Sequence, residues 1–289
     1  MKSEVEEAIF SELGILPILD HYYQPLINPK KHLKKSLRED RNLPGINFNV
    51  EEQLEILGKF DYNEELLEFP IENTDEADEE AFYYNNGFYA SGDAEYLYNM
   101  IRHFKPSKII EIGSGNSTLM AINAIVKNKA ENENYHCEHI CVEPYEMPWL
   151  ETKDLKIVRK KVEDMDLAFF EQLGPNDILF IDSSHIIRPQ GDVLFEYLEI
   201  FPVLKSGVIV HIHDIFMPRD YPDEWIYKEH RLWNEQYLLE AFLSLNDQYK
   251  IIGATNYLCH HYKEQFSAKC PVFAKQPGRE PGAFWMKRV

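Results

Sequence analysis

The strongest constraint on the fold is a change of pattern near residue 92, after which short apolar runs alternate with amphipathic stretches. This alternation predicts β-strands separated by helices, and strands that are apolar throughout are buried on both faces. We therefore predict an α/β fold with a parallel, doubly wound sheet between two layers of helices. Such sheets bind ligands beyond the carboxyl ends of their strands, near the point where the strand order reverses.

The predicted elements follow from length, periodicity and the positions of proline and glycine. Strands are predicted at KIIEIG (108–113), HICVEP (139–144), LKIVRKK (155–161), NDILFID (176–182), GVIVHIHD (207–214), YKIIGAT (249–255) and GAFWMKRV (282–289). Helices are predicted at AEYLYNMIRHF (94–104), STLMAINAIVKNKA (117–130), DMDLAFFEQL (164–173), VLFEYLEIFPVL (193–204) and EWIYKEHRLWNEQYLLEAFLSL (224–245).

The first 80 residues have a different character. They are highly charged, contain helix-like pieces such as EEQLEILGKF (51–60), and end in the acidic run IENTDEADEE (71–80). A run with so many charges and so few apolar residues is typical of a flexible loop. We predict a mostly helical N-terminal arm over residues 1–80 and the sheet domain over residues 81–289.

Charge and cysteine content restrict the function. With 49 acidic against 30 basic residues the net charge is −19, and we expect neither nucleic acid nor a membrane as a partner, because both need a basic surface. The four cysteines form no C-x-x-C pair, which favours reduced thiols in the cytoplasm. Although HCEHIC (136–141) contains zinc-type ligands, alternation along a strand would place them on opposite faces, so we interpret it as core packing.

A glycine turn, EIGSGNS (111–117), joins the first predicted strand to its helix. Gly113 and Gly115 allow a tight turn and a close approach of a ligand to the backbone. The helix that follows offers free N–H groups, with Ser117 as its candidate cap. Since the third glycine of the dinucleotide fingerprint is absent, the turn argues against a pyrophosphate-binding dehydrogenase.

Acidic residues end the next two strands. Glu143 follows the second strand, where a carboxylate can accept hydrogen bonds from ribose hydroxyls. Glu163 and Asp164 follow the third strand and are placed to reach an adenine amino group, although Asp164 can equally cap the next helix.

Histidines and aspartates end the fourth and fifth strands. Asp182 and His185 lie in IDSSH, and His213 and Asp214 end VIVHIHD. Adjacent parallel strands are about 4.8 Å apart, so we expect these four side chains to converge. His211 lies deeper in its strand and is predicted to be a hydrogen-bonded packing residue.

Together these motifs resemble the class I S-adenosylmethionine-dependent methyltransferases, in particular the bacterial sugar and macrolide O-methyltransferases. The resemblance spans residues 85–289 and is carried by EIGSGNS, VEP, DILFIDSSH and the final strand AFWMKRV. It implies a Rossmann-like doubly wound sheet of seven strands with the last strand antiparallel. It also implies S-adenosyl-L-methionine as cofactor and a small hydroxylated molecule as methyl acceptor.

The resemblance assigns roles to the motif residues. Cofactor binding is implied for Glu111, Gly113, Ser114, Gly115, Ser117, Glu143, Glu163, Asp164 and Asp182. His185 or His213 would act as base, with Asp214 orienting it or binding a metal. Relatives that use magnesium imply Asp182, His213 and Asp214 as ligands, although a histidine here leaves open a metal-free site or a softer ion.

The sequence leaves two other functions open. One is a catalytically inactive relative that retains the fold and the cofactor site and serves as an interaction module for a partner. An NAD(P)-dependent oxidoreductase would keep the sheet, but it would be expected to retain the third glycine and a Tyr-x-x-x-Lys proton donor. The sequence decides neither the acceptor nor whether the chain forms a homo-oligomer.

Overall fold

The computed structural model describes residues 9–10, 12–21, 23–73 and 80–289, so most of the predicted acidic loop lies outside the described residues. The chain divides into a small unit, made of the described residues up to Glu39 with Asp220–Leu232, and a large unit, Asp40–Arg219 with Trp233–Val289. The boundary predicted near residue 80 stays a prediction. None of the described helices is long and apolar enough to cross a membrane.

In the small unit one arginine contacts both chain segments. It contains the short helix α1 (Pro29–His32) and a π-helical turn, Trp225–Glu229. The guanidinium of Arg38 donates to the carbonyl oxygens of Asp220 and Tyr221, each at 2.5 Å. This arginine therefore fastens the two chain segments of the unit to each other.

The large unit is built on one seven-stranded sheet, as predicted. Its strands are β1 (Lys108–Ile112), β2 (Glu138–Val142), β3 (Lys156–Val158), β4 (Ile178–Ile181), β5 (Ile209–Ile212), β6 (Tyr249–Ala254) and β7 (Phe284–Arg288). Their order is β3-β2-β1-β4-β5-β7-β6, and β7 pairs antiparallel with both of its neighbours. The order reverses between β1 and β4, so a ligand site is expected at their carboxyl ends.

Helices cover both faces of this sheet. They are α2 (Val50–Gly58), α3 (Asn63–Glu68), α4 (Asp93–Phe104), α5 (Asn116–Glu131), α6 (Asp192–Phe195), α7 (Phe201–Val203), α8 (Glu235–Leu243), α9 (Thr255–His261) and α10 (Lys263–Lys269). A π-helical turn, Glu196–Ile200, joins α6 to α7, so the helix predicted over 193–204 is present with an irregular centre. Two apolar clusters, one containing Ile109 and the other Ile110, fill the space on opposite faces of the sheet.

Two predicted helices are wrong. The segment 164–173 forms only the 3₁₀ turn Leu167–Phe169, whose start Asp166 caps by accepting from the N–H of Ala168 at 3.0 Å. The segment 224–245 is interrupted before α8. There the N–H groups of Asn234 and Glu235 donate to the carbonyl of His185, at 3.1 and 3.2 Å, and so cannot continue a helix from the preceding turn.

Candidate active site at the carboxyl edge of the sheet

The turn between β1 and α5 requires a glycine at its first position. Gly113 has φ +80°, and a Cβ there would lie 2.1 Å from the carbonyl oxygen of Asp182. Only a residue without a side chain allows the turn to approach the end of β4 so closely. Gly115 has an extended backbone and open space where a Cβ would be, so its freedom is not needed in the same way.

Glu143 is fixed at the end of β2 by the backbone around it. Its side chain is buried, and one carboxylate oxygen accepts from the N–H of Ser114 at 3.1 Å. The other oxygen accepts from the N–H of Tyr145 at 2.9 Å. Each carboxylate oxygen has a second lone pair, so the group can accept two more hydrogen bonds from a ligand.

Two cavities of about 320 Å³ each open at this edge of the sheet. The first cavity is lined by residues that include Gly113, Glu143, Glu163, Asp182, Ser183 and Arg188. The second cavity is lined by residues that include Phe88, Tyr89, Ser114, Gly115, Ser117 and Asp182. Asp182 borders both cavities. Seven of the nine residues predicted to bind a cofactor line one or the other, and Asp164 and Glu111 line neither.

Glu111 lies behind the glycine turn and lines neither cavity. It is buried, accepts from the hydroxyl of Ser117 at 2.7 Å, and pairs with Nε2 of His139 at 2.8 Å. Its position follows from strand alternation, since it lies in register with Cys141 of β2 and both side chains leave the sheet on one face. The carboxylate thus supports the glycine turn from behind.

His185 is the centre of a buried charged cluster. Its Nδ1 lies 2.8 Å from Oε2 of Glu235, and its Nε2 lies 3.2 Å from Oδ1 of Asp182 and 3.6 Å from Oδ2 of Asp214. Tyr197 donates its hydroxyl proton to the other oxygen of Glu235 at 3.2 Å. The imidazole is therefore held from one side by Glu235 and faces two carboxylates with its other nitrogen.

The charges of this cluster shift its pKa values in opposite directions. Burial alone would lower the pKa of His185, but its bonds to Asp182 and Glu235 raise that pKa well above its ordinary value. Burial alone would raise the pKa of Asp182, but the positive charges of His213 and His185 lower it to about 2. The cluster therefore keeps Asp182 ionised and attracts either protons or a cation.

The donors that could hold a metal ion differ from the predicted set. Within the described part of the chain, ligand atoms of Asp182, His185 and Asp214 all lie within 4.8 Å of one another. His213 was predicted in place of His185, but its ring packs 4.8 Å from that of Tyr89. The left-handed backbone of His185 (φ 59°) turns its side chain back from the β4 loop towards both aspartates.

His213 and His211 occupy the same face of β5 at different depths. Nε2 of His213 lies 3.4 Å from Oδ1 of Asp214. His211 is fully buried, and its ring lies 4.2 Å from that of Phe180 and 4.5 Å from that of Trp285. It is the predicted packing residue, but neither of its nitrogens has a hydrogen-bond partner among the residues described.

Sequence reasoning missed two members of the site, Glu235 and Tyr197. Neither lies at the end of a strand, where the sequence predicts the functional residues. Glu235 begins α8 and is fully buried although its side chain is charged. A buried glutamate at a helix start is a signal that only tertiary structure reveals, since the sequence shows it within an apparently continuous amphipathic helix.

Comparison with known proteins agrees with this fold. Residues 110–215 match the model of a methyltransferase-domain family. An uncharacterised protein of Archaeoglobus fulgidus is 33% identical over 186 residues, which cover 60% of this chain and 80% of that protein.

Two solved structures are among those that resemble the chain. An O-methyltransferase from Bacillus cereus, in complex with SAH, is 12% identical with a TM-score of 0.35, over 82% of this chain and 90% of that one. The MycE methyltransferase of the mycinamycin biosynthetic pathway, in complex with Mg and SAH, is 14% identical with a TM-score of 0.35. The match covers 67% of this chain and 48% of that one.

The match to the methyltransferase domain runs from β1 to just past β5. It coincides with the strands whose carboxyl ends form the candidate site. The antiparallel β7 between β5 and β6 is the antiparallel last strand that the resemblance implied. The chain shares a family with the archaeal protein and belongs to the class I S-adenosylmethionine-dependent methyltransferases.

Proposed function

We propose that the protein transfers the methyl group of S-adenosyl-L-methionine to a hydroxyl of a small acceptor, such as a sugar or a natural-product intermediate. The observation that carries this proposal is the cluster of Asp182, His185 and Asp214 beside the first cavity. A hydroxyl must lose its proton during transfer, and this cluster concentrates groups that bind cations and accept protons.

The first cavity suits the nucleoside part of the cofactor. The free lone pairs of Glu143 are placed to accept hydrogen bonds from the two ribose hydroxyls. Glu163, at the other side of the cavity, is our candidate for the adenine amino group. The open space beside Gly115, in the second cavity that Asp182 also borders, leaves room for the methionine part.

The reaction is an in-line displacement at the methyl carbon. A bond forms between this carbon and the acceptor oxygen, the bond to the sulfonium sulfur breaks, and S-adenosylhomocysteine leaves with the electron pair. Alignment of oxygen, carbon and sulfur supplies much of the acceleration. We assign receipt of the hydroxyl proton to Asp214 with His213, whose facing atoms lie 3.4 Å apart.

The same cluster fits a divalent cation. Asp182, Asp214 and Nε2 of His185 supply two carboxylates and an imidazole. Glu235 holds the other imidazole nitrogen, as a carboxylate commonly does for a metal-binding histidine. A bound cation would make the acceptor hydroxyl more acidic. Its binding would displace the proton that the carboxylates hold on His185.

An acceptor other than nucleic acid is supported by charge and sequence. The chain carries a net charge of −19, which opposes the approach of a polyanion. The stretch after β4 reads DSSH, where enzymes that methylate nucleobase amines carry an Asn/Asp-Pro-Pro-aromatic motif.

All four cysteines are unpaired in the structure, which agrees with our placement of the protein in the cytoplasm.

Calorimetric titration with S-adenosylhomocysteine tests the cofactor site. Glu143→Gln should weaken binding by about 30-fold or more, since hydrogen bonds to a charged group are worth roughly 1.5–3 kcal/mol. Glu146→Gln, an exposed change of the same charge nearby, should leave the affinity unaltered. Equal affinities for the two variants would contradict the assignment of Glu143.

The acceptor class is tested separately, by methyl transfer to a panel of sugars and other hydroxylated compounds. We expect methyl transfer to a hydroxylated compound. Chelators should abolish this turnover and Mg²⁺ or Mn²⁺ should restore it, and the Asp182→Asn variant should show none. Turnover on amines alone would overturn the assignment to hydroxyl acceptors. Turnover that is unaffected by chelation would overturn the cation site.

A further inference from the structure

A second group of metal-type donors lies inside the sheet, apart from the site described above. We call Glu111, His139 and Cys141 the strand cluster. Cys141 of β2 lies in register with Glu111 of β1, and His139 is two residues before Cys141 on the same face. The sequence expectation that alternation would place the ligands of HCEHIC on opposite faces is wrong for His139 and Cys141, and it overlooked that a third donor comes from the neighbouring strand.

The spacing of the three donor atoms is close to that of a tetrahedral zinc site. Sγ of Cys141 lies 3.5 Å from Oε2 of Glu111 and 3.9 Å from Nε2 of His139, and the nitrogen and oxygen are 2.8 Å apart. In a tetrahedral site with ordinary zinc bond lengths, sulfur and oxygen are about 3.5 Å apart, sulfur and nitrogen about 3.6 Å, and nitrogen and oxygen about 3.3 Å. A shift of about half an ångström in one side chain would therefore accommodate the ion.

The cluster combines burial with a route of entry. All three residues are at most 5% exposed, so a bound ion would be largely protected from water. His139 also lines a cavity of about 330 Å³ together with Cys137 and Lys156. This cavity is separate from the two cavities of the candidate active site, which none of the three donors lines.

The donor types select zinc over the ions expected at the active site. Thiolate and imidazole are ligands of zinc and of softer ions, whereas magnesium prefers oxygen alone. Zinc accepts three protein ligands with a fourth position for water. Binding requires the thiolate and an unprotonated Nε2, so the protons on these atoms would be released to solvent.

We propose that Glu111, His139 and Cys141 bind a zinc ion that links β1 to β2 behind the glycine turn. Ser117 of α5 donates to the second oxygen of Glu111, so the ion would also fasten the start of that helix. The site would thus stabilise the turn without taking part in methyl transfer. This inference does not depend on the identity of the methyl acceptor.

Cobalt titration of the purified full-length protein distinguishes this site from the carboxylate cluster. Cobalt bound to a thiolate gives a near-ultraviolet charge-transfer band, whereas Asp182, His185 and Asp214 offer no sulfur. We expect this band in the wild-type protein, its loss on addition of excess zinc, and about one tightly held zinc per chain by elemental analysis.

Two cysteine variants serve as a matched pair. Cys141→Ser should lose the charge-transfer band and the tightly held zinc, and Cys137→Ser, just before β2 and outside the cluster, should keep both. His139→Gln provides a second test if Cys141→Ser folds poorly. The proposal would be overturned by a wild-type protein that binds cobalt without the band, or by tight zinc binding that survives both cluster substitutions.

Discussion

At the scale of single residues, Gly113 shows how one backbone conformation creates the candidate site. The turn passes so close to the end of β4 that a Cβ would lie 2.1 Å from the carbonyl oxygen of Asp182. The left-handed φ of +80° adds a cost for any other residue. The same approach places Asp182 next to the turn, where it borders both cavities.

Gly113→Ala should therefore lower the free energy of unfolding by at least about 2 kcal/mol, since a strained backbone and a backbone clash act together. It should also abolish binding of S-adenosylhomocysteine. Gly115→Ala, where the added Cβ meets nothing within 4 Å, should change stability by less than about 1 kcal/mol. Urea denaturation of both variants measures these changes. Similar losses of unfolding free energy in the two variants would refute the special role of Gly113.

At the scale of secondary-structure elements, Arg102 of α4 ties three helices together. It is fully buried and forms a two-fold ion pair with Glu65 of α3, at 2.9 and 3.0 Å. It also donates to Asn128 and Glu131 of α5. The helices that cover this part of the sheet are therefore joined by one side chain as well as by apolar contacts.

Arg102→Met should lower the free energy of unfolding by about 3 kcal/mol, because the carboxylates of Glu65 and Glu131 lose the cation that pairs with them and the buried Asn128 amide oxygen loses a donor. Lys105→Met is the matched control, since Lys105 lies on the C-cap of the same helix, is 44% exposed and reaches the same Glu131 at 3.6 Å. Its loss should be below about 1 kcal/mol. If the Arg102→Met and Lys105→Met variants had equal midpoints of thermal unfolding, Arg102 would not have this linking role.

The strands were predictable because each carries its own apolar run, and all seven are present. The helix over 224–245 was not, because its interruption depends on bonds from Asn234 and Glu235 to the distant carbonyl of His185. For the same reason the site was predicted only in part. Strand ends indicated Asp182 and Asp214, but the meeting of His185 with Glu235 depends on chain segments 50 residues apart.

At the scale of the whole molecule, Glu95 connects distant parts of the large unit. It lies in the first turn of α4, and its carboxylate accepts from the N–H groups of Gly92, Val272 and Phe273 at 2.7–2.9 Å. The start of α4 is thereby bound to the segment that leads into β7. Burial raises the pKa of Glu95 to about 7, although these N–H groups act to lower it.

This shift makes stability depend on pH. Between pH 4.5, the ordinary pKa of a glutamate, and about pH 7, the folded chain holds a proton on Glu95 that the unfolded chain has released. The contribution of Glu95 to stability is therefore fully present below pH 4.5 and is lost as the pH rises to 7. Across pH 5–7 the loss should amount to about 2–3 kcal/mol, at 1.36 kcal/mol for each pKa unit.

The measurement is urea denaturation of the wild type and of Glu95→Gln from pH 5 to pH 8. The difference in unfolding free energy between them should fall by this amount as the pH rises, because glutamine does not titrate. Glu264→Gln, on the exposed face of α10, controls for the removal of one surface carboxylate. A difference that stays flat or grows with pH would mean that the three N–H donors outweigh burial and that Glu95 is ionised throughout.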